Sequence, residues 1–256
     1  MMKFIRGFLI GVQFFTAIPI SKQFPMDEDH LKRTIQAFPL LGLGQGMIYS
    51  FLLYILIENT PFSHLAAAFL LWLVTIILTG GIHLDAWMDV SDAYFSYQDQ
   101  ARRLEIMKDP RIGAFGVISV MILLSCRFLF IYEITLNPHL LTYVLIAIIP
   151  FLSKTIMGVL LLTVRPARAE GLGYLFQKAA TAKALWLYPV YLLAAAILFP
   201  RAAILIVPAT ACYLFARLKV GKWFGGITGD VLGATVEGTE LILWLTVWLL
   251  HYFVTV

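Results

Sequence analysis

AAAFLLWLVTIILTGGIHLDAWMDVSDAYFS, residues 66–96, runs from nearly pure hydrocarbon into three aspartates, Asp85, Asp89 and Asp92. Ionised carboxylates at the centre of a bilayer are very costly. The two halves of the stretch are compatible if the first crosses a membrane and the second lies at its end, where water, cations or partner side chains reach it. A helix over 84–95 places the aspartates at i, i+4 and i+7, on one face.

The rest of the chain supports the membrane reading. Its 256 residues are 61% hydrophobic and only 13% charged, about half the charge of an ordinary soluble domain. Mean hydropathy is +0.86. That length accommodates one bundle of roughly six to eight membrane helices. The formal charge of +4 fits basic loops on one membrane side and does not call for nucleic acid. Cys126 and Cys212 lie in apolar runs without a ligand partner nearby and read as packing residues. Residues 4–19 resemble a signal peptide but lack a clear cleavage site, so they read as a retained interfacial or inserted helix.

Seven runs are long and apolar enough to be read as spans: 36–57, 64–80, 112–132, 140–163, 184–199, 203–218 and 239–254. The connectors near 58–63, 133–139 and 200–201 are short and poor in Lys. Those at 19–35, 97–111, 164–183 and 219–230 hold most of the Lys and Arg. The two kinds alternate, which puts the basic set in the cytoplasm. The expected fold is all-α: one polytopic integral membrane domain over 1–256, with about seven spans and the N-terminal helix.

A second acidic face follows in GGITGDVLGATVEGTE, residues 225–240. Asp230, Glu237 and Glu240 share one helical face at the same membrane side. Carboxylates gathered on one stripe repel unless cations sit among them, and Mg²⁺ suits such oxygen donors. The expected metal ligands are therefore Asp85, Asp89, Asp92, Asp230, Glu237 and Glu240. Gly225, Gly226 and Gly229 allow close backbone approach by a phosphate or another helix, although GITGD is no P-loop.

Basic residues lie between and around these faces. Lys108 and Arg111 in RRLEIMKDPRIGAFG, with Arg102 and Arg103 before them, can neutralise phosphate oxygens. Arg165 and Arg168 in RPARAEGLG add to them, and Lys154 lies inside a span, where a lone lysine implies an acidic partner or a pore. His83 does not share the face of Asp85 and belongs to no zinc motif. No nucleophile elbow is present. Carboxylates, a basic shell and no acyl-transfer motif point to metal-assisted phosphoryl or nucleotidyl transfer.

At these residues the chain resembles the cobalamin synthase family, the adenosylcobinamide-GDP ribazoletransferases. The resemblance rests on GGIHLDAWMDVSDAYF (80–95), RRLEIMKDPRIGAFGV (102–117), RPARAEGLGYLF (165–176) and GGITGDVLGATVEGTELI (225–242), in the family's order. Asp85, Asp89 and Asp92 match the acids of the pattern G-G-L-H-x-D-G-x-x-D-x-x-D-G, and His83 its histidine. Ala86 and Ala93 stand where glycines are usual. The resemblance implies Mg²⁺-dependent joining of adenosylcobinamide-GDP to α-ribazole or its 5′-phosphate, with GMP released, at the cytoplasmic face of the bacterial inner membrane. Asp85, Asp89, Asp92, Lys108, Arg111 and Asp230 are then the catalytic candidates. His83, Arg102, Arg103, Lys154, Arg165, Arg168 and the three glycines are the substrate-binding candidates. The partners are those substrates and the bilayer, with no nucleic acid and with room for a homo-oligomer. Two other classes fit the composition: another membrane alcohol phosphotransferase, whose usual D-x-x-D-G-x-x-A-R is absent here in that form, and a corrinoid or cation transporter, which Lys154 favours.

Overall fold

The computed structural model describes residues 2–253, and these form helices without a sheet. α1 is Met2–Phe15, α2 Glu28–Glu58, α3 His64–Ile77, α4 Ile82–Phe95, α5 Gln100–Ile106 and α6 Ala114–Thr135. Then come α7 Leu140–Thr163, α8 Gly171–Lys178, α9 Leu187–Leu198, α10 Ile206–Phe224 and α11 Gly229–Phe253. The bundle is a polytopic membrane fold. Five helical segments are long and apolar enough to cross a bilayer, or up to seven if each of two bent pairs counts as one span.

The two bent pairs fall on the expected spans 64–80 and 184–199, so the expected count of about seven is reached when each pair is one span. α3 and α4 meet at 79°, and α8 meets Ala182–Leu198 at 78°. The first break lies at Gly80 and Gly81, whose φ of +63° and +74° is a left-handed conformation that favours glycine. α9, at 12 residues, is about 18 Å long, well short of a roughly 30 Å hydrocarbon core. The aspartates of α4 therefore do not continue the second span; they lie on a helix turned sharply away from it. α1, at 14 residues, is also too short to cross unaided. It lies on α2, where a Cβ at Gly7 would meet Arg33 and Thr34 at 2.7–2.8 Å. Two expected loops are partly helix: α2 begins at Glu28, capped by the Asp27 carboxylate on the His30 N–H at 2.9 Å, and α10 continues to Phe224.

α7 is the buried centre. α2 packs directly on it because Gly42 and Gly46, one turn apart, leave no side chain between the backbones. A Cβ at either would overlap the α7 carbonyls of Pro150 and Ala147. α11 covers another side of α7 and also packs on α4 and α6.

Hydrogen bonds show which connectors share an end. Arg165 Nε donates to Gly225 O at 2.9 Å, and Gln100 Nε2 to Lys222 O at 2.8 Å. At the opposite end Tyr143 Oη donates to Glu58 at 3.5 Å, and Thr142 Oγ1 lies 3.0 Å from His251 Nε2. The Lys/Arg-rich connectors thus gather at one end of the bundle.

Candidate active site

At that end a backbone clip joins two distant segments. Ile227 N donates to Arg165 O and Ala167 N to Ile227 O, each at 2.9 Å. Gly225, at φ +75°, ends α10, and Gly226 lies so close to the Arg165 carbonyl that a Cβ there would overlap it. The clip sets the start of α8 against the start of α11, where a Cβ at Gly173 would lie 2.9 Å from Gly229 N. Arg165, Gly225 and Gly226, expected on phosphate, are engaged with one another. The clip's product is Arg168, whose Nη2 lies 3.2 Å from Asp230 Oδ2. Thr228 caps α11 through the Val231 N–H at 3.1 Å.

A cavity of about 330 Å³ opens here. Asp85, Arg168, Glu170, Gly229 and Asp230 form its polar wall, while Phe14, Phe15, Phe38 and Phe176 lie on its apolar side. His83 also lines it, buried and stacked on Phe15 with ring centroids 5.9 Å apart. Its Nε2 has no hydrogen-bond partner among the described residues. Asp89 follows Asp85 by one helical turn and is half-buried, with the charges of Asp85, Asp230 and Asp92 all acting on it. Among the described residues neither Asp85 nor Asp89 accepts a protein hydrogen bond, whereas Asp92 does. A larger groove of about 850 Å³ lies on another side of α4, among α6, α10 and α11. It is almost wholly apolar, with Lys219 its one charged lining residue among those described. It lacks the carboxylates that phosphoryl chemistry needs.

The other predicted residues are distributed differently. Asp92 is drawn to the start of α6: Gly113 N donates to Oδ2 and Gly116 N to Oδ1, both at 2.8 Å. Glu237 and Glu240 lie about 10 and 15 Å along the α11 axis from Asp230. Both are buried in ion pairs, Glu237 with Arg127 and Glu240 with Lys154 Nζ at 3.8 Å. Ser153 Oγ adds a 2.8 Å hydrogen bond to Glu240. The structure therefore does not bring these glutamates to Asp85. Among the described residues no three His, Cys, Asp or Glu side chains close into a metal cluster. Lys154 is fully buried in the bundle and lines neither cavity.

Of the basic loop residues, Lys108 reaches the cavity wall by pairing with Glu170. Arg111 turns outward and chelates Asp109, Nε to Oδ1 at 2.9 Å and Nη2 to Oδ2 at 2.6 Å. The hydrogen bonds from the Arg111 side chain and backbone hold the Asp109 carboxyl at about 2. Arg102 pairs with Glu105 at 2.6 Å. Arg103 donates to Trp223 O at 3.2 Å and lies over Tyr94 at 5.5 Å, tying α5 to α10. Neither Arg102 nor Arg103 lines the cavity. Sequence reasoning did not single out Arg127, Gly113 or Gly116. An apolar span containing one arginine was the available signal for Arg127, since such a charge requires a partner.

Residues 7–248 match the model of a family described as Cobalamin-5-phosphate synthase. A protein of Geobacillus sp. (strain WCH70) named adenosylcobinamide-GDP ribazoletransferase is 44% identical, with 98% of each chain covered. A protein of the same name from Geobacillus thermodenitrificans (strain NG80-2) is 39% identical over 96% of each chain. Another from Treponema denticola is 36% identical over 93% of this chain and 95% of its own. No solved structure matches.

Proposed function

The chain belongs to the cobalamin-5-phosphate synthase family and is a transferase; from that premise we propose that the cavity between α4, α8 and α11 joins adenosylcobinamide-GDP to α-ribazole or its 5′-phosphate. The observation that carries this reading is the pairing of two unlike features in one cavity. Asp85 on the cavity wall and Asp89 one turn farther along α4 accept no hydrogen bond among the described residues, and Arg168, paired with Asp230, lines the same cavity as Asp85.

The donor chemistry fits Mg²⁺. Asp89 is half-buried and repelled by the charges of Asp85 and Asp230, and such carboxylates call for a cation. Mg²⁺ is usually held by one or two carboxylates plus substrate phosphates and water rather than by a closed protein cage, so an open face is the expected form. Asp85, Asp89 and Asp230 are the residues that would hold it. When bound, it screens the pyrophosphate and the charge that develops on it.

The chain's own groups supply the rest. Arg168 has one nitrogen on Asp230 and another, Nη1, buried without a partner among the described residues, so its fork can hold a phosphate oxygen. Lys108, paired with Glu170 at the rim, can exchange that carboxylate for a second phosphate oxygen. A ribose hydroxyl of α-ribazole attacks the phosphorus attached to the cobinamide arm. Its proton passes to a carboxylate oxygen of Asp85, the exposed acid on the cavity wall. The new P–O bond forms as the bond to GMP breaks, and GMP leaves with the electron pair. The concentration of Lys and Arg at this end supports placing it in the cytoplasm, with the bundle in the bacterial inner membrane.

The test is purified protein in lipid nanodiscs supplied with Mg²⁺, adenosylcobinamide-GDP and α-ribazole 5′-phosphate. GMP release matched by a completed corrinoid product is expected. Corrinoid movement across vesicles without covalent change would favour the transporter reading, and no product in a folded preparation overturns the proposal.

A further inference from the structure

We propose that Asp92 holds no metal ion and instead positions the Lys108–Ile112 loop against the cavity, so that the metal face of α4 ends at Asp89; this rests on the reading above. The three aspartates share a face, but their surroundings differ. Each oxygen of Asp92 takes one backbone N–H from the first turn of α6, from Gly113 and Gly116 at 2.8 Å. These are charge-assisted bonds, roughly twice as strong as neutral ones. They come from a helix N-terminus, where the aligned peptide dipoles carry partial positive charge. A cation seated on Asp92 would face that positive end, and the carboxylate it sought would already be compensated. Asp85 and Asp89 have neither constraint.

The glycines show that the contact is built for a carboxylate. An added Cβ at Gly113 or at Gly116 would overlap the Asp92 carboxyl group, and at Gly116 it would also lie 3.1 Å from Met88 O. Two open positions three residues apart, at the N-cap and third residue of α6, leave a seat that a side chain would fill. What the seat fixes is the chain immediately before it. Lys108 lies five residues before Gly113, and it crosses to Glu170 on the cavity wall. Asp92 thus anchors one end of a basic strap whose other contact is Glu170 on the cavity wall. Its loss should weaken substrate capture more than metal binding.

The experiment uses the full chain in nanodiscs and Mn²⁺ as the probe, followed by electron paramagnetic resonance titration beside steady-state kinetics. Asp89→Asn should weaken Mn²⁺ binding about tenfold or more, as expected for removing a unit charge at contact range. Asp92→Asn, which removes a charge that acts on Asp89 only from a distance, should weaken Mn²⁺ binding by no more than about threefold. It should raise the KM for adenosylcobinamide-GDP about tenfold while kcat changes less, since one charge-assisted bond and the loop's seat are lost. Gly116→Ala, which keeps every carboxylate, should reproduce that split and carries the test if Asp92→Asn fails to fold. Equal loss of Mn²⁺ binding in Asp89→Asn and Asp92→Asn overturns the proposal, as does a wild-type KM in Gly116→Ala. A wild-type chain that binds Mn²⁺ but releases no GMP sinks the proposed reaction and leaves the Mn²⁺ comparison standing.

Discussion

Asp89 and Arg168 carry the residue-scale consequences, because each has polar capacity that the protein itself leaves unused. Asp89 is half-buried among other carboxylates, and Asn keeps its volume while removing the charge. Asp89→Asn should therefore fold and run as a monodisperse species. Its turnover should fall by about two to three orders of magnitude, the loss typical of removing one preorganised electrostatic contact in a transition state. Product formation against Mg²⁺ concentration reads this, and near-wild-type turnover with an unchanged Mg²⁺ response would remove Asp89 from the site. Arg168 is planar and has an unused nitrogen beside the one on Asp230. Lys keeps the charge but loses the fork. Arg168→Lys should lower kcat/KM about tenfold, the equivalent of one charge-assisted hydrogen bond. Wild-type kinetics in that variant would mean that only net charge matters there.

At the scale of elements, two contacts set how the helices meet. α2 approaches α7 through Gly42 and Gly46, while a Cβ at Gly44, between them, would touch nothing within 4 Å. Gly46→Ala should cost about 1–3 kcal/mol through overpacking, and Gly44→Ala should be neutral or gain up to about 1 kcal/mol from helix propensity. Thermal unfolding in detergent compares them, and equal melting temperatures would show that the close approach is not stabilising. The second contact is the buried Arg127–Glu237 pair joining α6 to α11. Glu237→Gln strands a buried guanidinium and should destabilise the bundle by about 3–5 kcal/mol. The paired change Arg127→Met with Glu237→Leu should recover much of that loss, because it removes the uncompensated charge along with the pair. If the double variant melts below both singles, the network is needed for more than charge balance.

For the whole molecule, the gathering of basic connectors at one end implies a single sidedness. Single cysteines placed by Asp99→Cys and Thr60→Cys should label from opposite membrane faces, position 99 from the cytoplasm. Labelling of both from the same face would overturn the topology. The all-α class and the approximate spans were legible because hydrocarbon runs and Lys/Arg asymmetry are composition signals, which one dimension carries well. The break at Gly80–Gly81 was less legible: an apolar run followed by glycines reads equally as a span with a loop or as a span that turns by 79°. The candidate site was visible as an acidic face on α4, but not which of its members are free.

The sequence by itself determined that the chain crosses a membrane, that Asp85, Asp89 and Asp92 share one helical face, and that it resembles a phosphoryl-transferring family. These follow from hydropathy, helical period and motif order, all of which are properties along the chain. Only the tertiary structure decided where each charge goes. Asp92 meets the N–H groups of α6, Glu237 meets Arg127, Glu240 meets Lys154, and Asp230 meets Arg168. Those partners lie between 21 and 110 positions away in the chain. The physical reason is that a charge in a low-dielectric interior is fixed by whichever opposite charge or donor packing brings within a few ångströms. Sequence periodicity places a carboxylate on a face, and the packing of neighbouring helices leaves Asp85 and Asp89 without a donor among the described residues.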